Sequence, residues 1–179
     1  MDRGSGAKAY IKSRYLAEAK EELSKDLTNF NQYFNLLIIT SSVYYLFGNH
    51  ARSLDYAKLL ITYHPKHWEG YALAARNIIA LKQFKKAIEQ TEIGLEKFPT
   101  CFDLLHLHAN ACQLDGDHKK ALQSAKEFID RHPDKWHGHA IAAFNLIKLR
   151  KYQEAIAQTE LGIQRFPNCF DLLHLHANA

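Results

Sequence analysis

Proline, glycine and cysteine are scarce in this chain: four, eight and three among 179 residues. Three cysteines cannot all pair within one chain, so they are expected to be reduced thiols in a reducing, cytoplasmic compartment. No apolar signal core opens the chain, whose first ten residues read MDRGSGAKAY. The longest apolar stretch, Leu36 to Phe47, is too short to span a bilayer and carries Thr40, Ser41 and Ser42. No block of one charge occurs. The 23 Lys and Arg and 19 Asp and Glu are interleaved, so the net charge of +4 describes a solvated surface and not a phosphate-binding stripe; neither nucleic acid nor a membrane is an expected partner. Catalytic signatures are missing as well: there is no Gly-rich phosphate loop, HExxH, CxxC or nucleophile elbow. An apolar content of 47% against 23% charged excludes disorder.

What the chain does have is a period. Phe98 to Ala111, FPTCFDLLHLHANA, returns as Phe166 to Ala179, FPNCFDLLHLHANA, 166 − 98 = 68 residues later. The prolines stand at Pro65, Pro99, Pro133 and Pro167, each 34 after the last, so 68 is two units of 34. A fixed period of this length marks a stacked-repeat architecture. Between the prolines, apolar residues recur at three and four, the helical spacing. Gly48 and Gly116 fall mid-unit, where a residue able to turn left-handed ends one helix and starts the next. Each unit is therefore expected to be a helix pair closed by its proline.

With proline at position 32, position 1 is aromatic throughout: Phe34, Trp68, Phe102, Trp136 and Phe170. Position 8 (Ser41, Ala75, Ala109, Ala143, Ala177) and position 20 (Ser53, Ala87, Ala121, Ala155) are small, which lets the two helices of a unit cross closely. This pattern resembles the tetratricopeptide repeat over Phe34 to Ala179. The resemblance implies an all-α, right-handed superhelical solenoid of antiparallel helix pairs. Its units are 34–67, 68–101, 102–135 and 136–169, with a partial fifth at 170–179 and an N-terminal tail and capping helix over 1–33. Position 27 departs from the family, alternating Leu60, Gly94, Phe128 and Gly162, which points to packing that alternates by unit, with Gly94 and Gly162 where a neighbouring helix comes close.

Zinc or cofactor binding is not expected, because His106 and His108, two apart on a helix, point away from each other, and a site built from Cys101, His106, His108 and Cys112 would need positions 34, 5, 7 and 11 of the repeat to converge. Nor is catalysis. The resemblance implies instead a protein-interaction scaffold whose first helices line a concave groove. Carried onto this chain, the groove positions that matter are Tyr45, Glu69, Arg76, Ile79, Asp103, His106, Asn110, Gln113, His137, Phe144 and Ile147. Arg76, Asn110 and Gln113 suit the main chain of an extended peptide, and the aromatic and aliphatic groups suit its side chains. Ala72 and Ala140, on the same face, are expected bystanders. The Lys that chaperone-tail-binding members carry at position 5 is missing, so that ligand is disfavoured.

Two alternatives stay open. HPKHWEGYALAA and HPDKWHGHAIAA look like repeats attached to some bacterial glycan- or sulfo-transferring enzymes, which implies a recruitment arm. Phe170, Leu172, Leu173 and Leu175, without a second helix to cover them, form a candidate self-association end. His106 and His137 are expected to share the groove and confer pH sensitivity.

Overall fold

A computed structural model describes the chain from residue 30 onward, with side chains from residue 33. The expected capping helix lies outside the described residues. Those described form α-helices and connecting turns: α1 (Phe30–Leu46), α2 (His50–Tyr63), α3 (Trp68–Ala80), α4 (Phe84–Lys97), α5 (Phe102–Asp115), α6 (His118–Arg131), α7 (His137–Lys148), α8 (Tyr152–Arg165) and α9 (Phe170–Ala177). They fall into two compact units that divide after Leu81.

The turns follow from local chemistry. After α2, α4, α6 and α8, the residue before proline accepts a bond from the third residue on: His67 N to His64 O 3.1 Å, Cys101 N to Phe98 O 3.0 Å, Lys135 N to His132 O 3.1 Å and Cys169 N to Phe166 O 3.1 Å. Proline thus takes the second place of a β-turn, where its fixed φ is preorganised. Between α1 and α2, and between α5 and α6, Gly48 and Gly116 are left-handed, at φ +74° and +86°. Asn49 and Asp117 follow and cap the next helix, accepting from Arg52 N at 3.3 Å and Lys120 N at 3.0 Å. The two remaining mid-unit turns are left-handed at Lys82 and Arg150, both φ 59°, where the sequence carries no glycine.

In the first unit, α1 packs on α2 and α2 on α3 around Leu37, Ala57, Leu60, Leu73 and Ala74. The small residues at the crossing bring the backbones within reach of a hydroxyl: Ser41 Oγ donates to Ser53 O at 3.0 Å and Ser53 Oγ to Ser41 O at 2.7 Å. In the second unit each helix from α4 to α9 packs on the next, while the first helices α5, α7 and α9 also pack side by side. Ala109, Ala121, Ala143 and Ala155 are all fully buried.

The alternation at position 27 has a reciprocal partner. Where a large residue stands there, as Leu60 or Phe128, the following first helix presents glycine. A Cβ on Gly70 would lie 3.0 Å from Leu60 Cβ and Ile61 N, and one on Gly138 would lie 2.7 Å from Ile129 Cγ1. Where glycine stands there, the following helix presents leucine. A Cβ on Gly162 would meet Leu172 Cδ1 at 3.0 Å and His139 Cβ at 3.1 Å. Gly94 and Leu104, the equivalent residues of the preceding doublet, are both buried. Close helix approach, expected at Gly162, is thus shared with Gly70 and Gly138.

A candidate binding groove on the first helices

On the second unit the side-by-side first helices leave a hollow of about 300 Å³. Its floor is Ala140, Ile141 and Phe144 of α7, its walls are Gln113 of α5 and Leu175 of α9, and Asp171 stands at its lip. It exists because position 5 of α7 is alanine, whereas α5 and α9 carry His106 and His174 there. Ala140, only 9% exposed, lines this space with its small side chain.

Gln113 is held in place from below. Buried Asn145 donates to Gln113 Oε1 at 3.2 Å and to Ile141 O at 2.7 Å, and its Oδ1 meets His118 Nδ1 at 2.9 Å, so the His118 ring donates there. Phe144 is half-buried, with Lys148 Nζ 5.2 Å from its ring centre, a cation–π contact at one end of the hollow.

His106 and His137 come together, as expected, but in an aromatic cluster. Their rings lie 5.5 Å apart, and Phe102 lies 6.2 Å from His106 and 5.3 Å from His137. Phe128 of α6 and His132, which follows that helix, close the cluster on Phe102. Burial first, and Lys135 second, hold the His137 imidazole below its ordinary value, against a smaller upward pull from Asp171. Asp103 sits in the first turn of α5, and Asn110 and Ile147 are half-buried.

In the first unit, Tyr45 packs edge-on to His50 at 5.0 Å. Glu69 occupies the first turn of α3, 3.9 Å from His67 Nδ1, and Arg76 and Ile79 are half-buried further along it.

The end helix splits its candidate residues. Phe170 is 77% and Leu173 45% exposed, whereas Leu172 is fully buried in the space left by Gly162 and Leu175 faces the hollow. Leu172 is therefore a core residue and not part of an exposed end. Trp136, Asp171 and His174 also line the hollow, although the groove positions expected from sequence did not include them.

The contact between Cys112 and His108 is structural. Thr91 Oγ donates within its own helix, to Ala87 O or Ile88 O, so it accepts from His108 Nδ1 at 2.8 Å; Cys112 Sγ then faces Nε2 at 3.8 Å. Burial lowers His108 and pushes the Cys112 thiol up to about 11, so neither is charged at neutral pH and no thiolate nucleophile forms. Among the described residues no cluster of three or more His, Cys, Asp or Glu is placed to hold a metal ion, and no helix is long and apolar enough to cross a membrane.

Helix pairs of this length, crossing at small residues and closed by a proline turn, are the tetratricopeptide repeat fold. Solved structures share it. A thermophilic tetratricopeptide repeat protein of Thermus thermophilus superposes with a TM-score of 0.71 at 19% identity, over 97% of this chain and 94% of that one. MamA of Desulfovibrio magneticus, from residue 41 to its end, gives 0.69 at 15% identity over 95% and 99%. A tetratricopeptide repeat protein of Parabacteroides merdae gives 0.75 at 15% identity over 97% and 66%. No family model and no curated protein matches the sequence.

Proposed function

We propose that the chain is a non-enzymatic interaction scaffold that holds a peptide or protein segment along its first helices, in the cytoplasm. The hollow bounded by Gln113, Ala140, Phe144 and Leu175 carries this reading, since it combines an apolar floor with a fixed amide at its edge. Interleaved charge favours protein over nucleic acid as the partner. Selection of displayed peptides on the intact chain, repeated on Phe144→Asp, tests it. Peptides recovered with the intact chain are expected to lose at least about tenfold in affinity for Phe144→Asp, equivalent to about 1.4 kcal/mol. Unchanged affinity for every selected peptide refutes the groove.

A second use is favoured by the exposure of Phe170 and Leu173 on α9. These apolar groups support self-association through that helix.

A further inference from the structure

We propose that the hollow between α5, α7 and α9 selects an extended peptide segment in which an apolar side chain is flanked by lysine or arginine. The apolar group sits over Ala140 and Phe144, and the cation faces the Asp171 carboxylate. This deepens the groove reading and rests on it.

Size sets the first half of the specificity. About 300 Å³ lies at the bottom of the roughly 300–1,000 Å³ range of small-molecule sites, so the space suits one side chain delivered by a longer partner. The floor offers that side chain a methyl group, an aliphatic chain and an aromatic ring.

Charge sets the second half. Of the residues that line the hollow, Asp171 alone is a carboxylate and none is a lysine or arginine. Asp171 stands in the first turn of α9, where an acidic side chain also suits the helix dipole. That role explains its presence in the turn; its place at the lip gives it a second one. Gln113, on the opposite wall, offers an uncharged amide to the ligand main chain. A cation, Lys148, stands over Phe144, and Lys135 lies outside the lining, near His137, so within the hollow itself a cation is attracted beside Asp171 and an acid is tolerated only beside Lys148. An exposed ion pair contributes modestly, so exchanging attraction for repulsion at Asp171 is expected to change affinity about three- to tenfold.

The test uses the full chain and labelled, end-capped short peptides of Ser, Thr and Gly that carry one Phe flanked by Arg, Gln or Glu, with affinity read by fluorescence anisotropy at low salt. The expected order is Arg tighter than Gln, and Gln tighter than Glu, with Asp171→Lys reversing it. Ala140→Leu, which fills the hollow, is expected to weaken all three while circular dichroism shows unchanged helicity. If Ala140→Leu weakens binding but the three peptides bind alike, the charge selection is wrong and the groove reading survives. If Ala140→Leu changes nothing, or no peptide binds at about 1 mM, the hollow is not the site and both readings fall.

Discussion

A single methyl group at residue 138 has no room. The Cβ of Gly138→Ala would meet Ile129 Cγ1 at 2.7 Å, and backbone atoms of Ile129 and Ala125 at 3.2 and 3.3 Å, so side-chain movement alone cannot relieve it. The overpacking, roughly 1–3 kcal/mol, outweighs the gain in helix propensity of about 1 kcal/mol. Gly138→Ala is therefore expected to lower the urea midpoint at unchanged m-value, and a raised midpoint would refute the packing account. A second residue-scale prediction concerns protons. Burial holds His108, His137 and His139 below their ordinary value. Above about pH 6.5 these groups are neutral folded or unfolded; below it the unfolded chain takes up protons that the folded chain refuses. Stability is therefore greatest above pH 6.5 and falls as acid is added. Urea midpoints at pH 7.5 and pH 5 check this, and a midpoint no lower at pH 5 contradicts it. The residue scale is also where sequence says least. Lys82 and Arg150 take the left-handed conformation without being glycine or asparagine, the residues that mark such a turn in a sequence. That Ala140 lines a hollow is visible only once three helices stand around it.

Among the described helices, α9 is the shortest. It has eight residues, well short of the roughly 12–15 at which a helix begins to persist alone, so its order comes from docking. Two contacts supply that order: Leu172, fully buried against Gly162, and the Thr159 Oγ1 to His176 Nδ1 bond of 2.8 Å. Leu172→Ala is expected to forfeit about 2–5 kcal/mol of packing and to release α9 alone. Hydrogen exchange should then lose protection over 170–177 and keep it in α5 to α8. Uniform loss along the chain would mean that α9 is integral to one cooperative unit. At this scale the fold was legible beforehand, because helix spacing, proline turns and small crossing residues are all local in sequence. The hollow was not. Leu175 reads as one of a row of leucines, and only the docking of Leu172 decides which of its neighbours face the core, the groove or solvent.

At the scale of the whole molecule, exposed Phe170 and Leu173 set the expected behaviour in solution. Light scattering over a wide concentration range should show mass rising above the 20.6 kDa of one chain, and Phe170→Lys with Leu173→Lys should restore that value. A constant 20.6 kDa for the unaltered chain refutes self-association. The reciprocal glycines have a different consequence. Chains built of similar repeats are prone to misfold by skipping a unit or by exchanging one with a neighbour. A slip of 34 residues here would press Leu60 or Phe128 against Leu104 or Leu172, and would leave Gly94 or Gly162 opposite the bare backbone of Gly70 or Gly138. One junction overpacks and the next leaves a void. Only a slip of 68 residues restores every fit. The helix-pair doublet, and not the single pair, is thus the smallest piece that can be duplicated, deleted or swapped between chains with its packing intact.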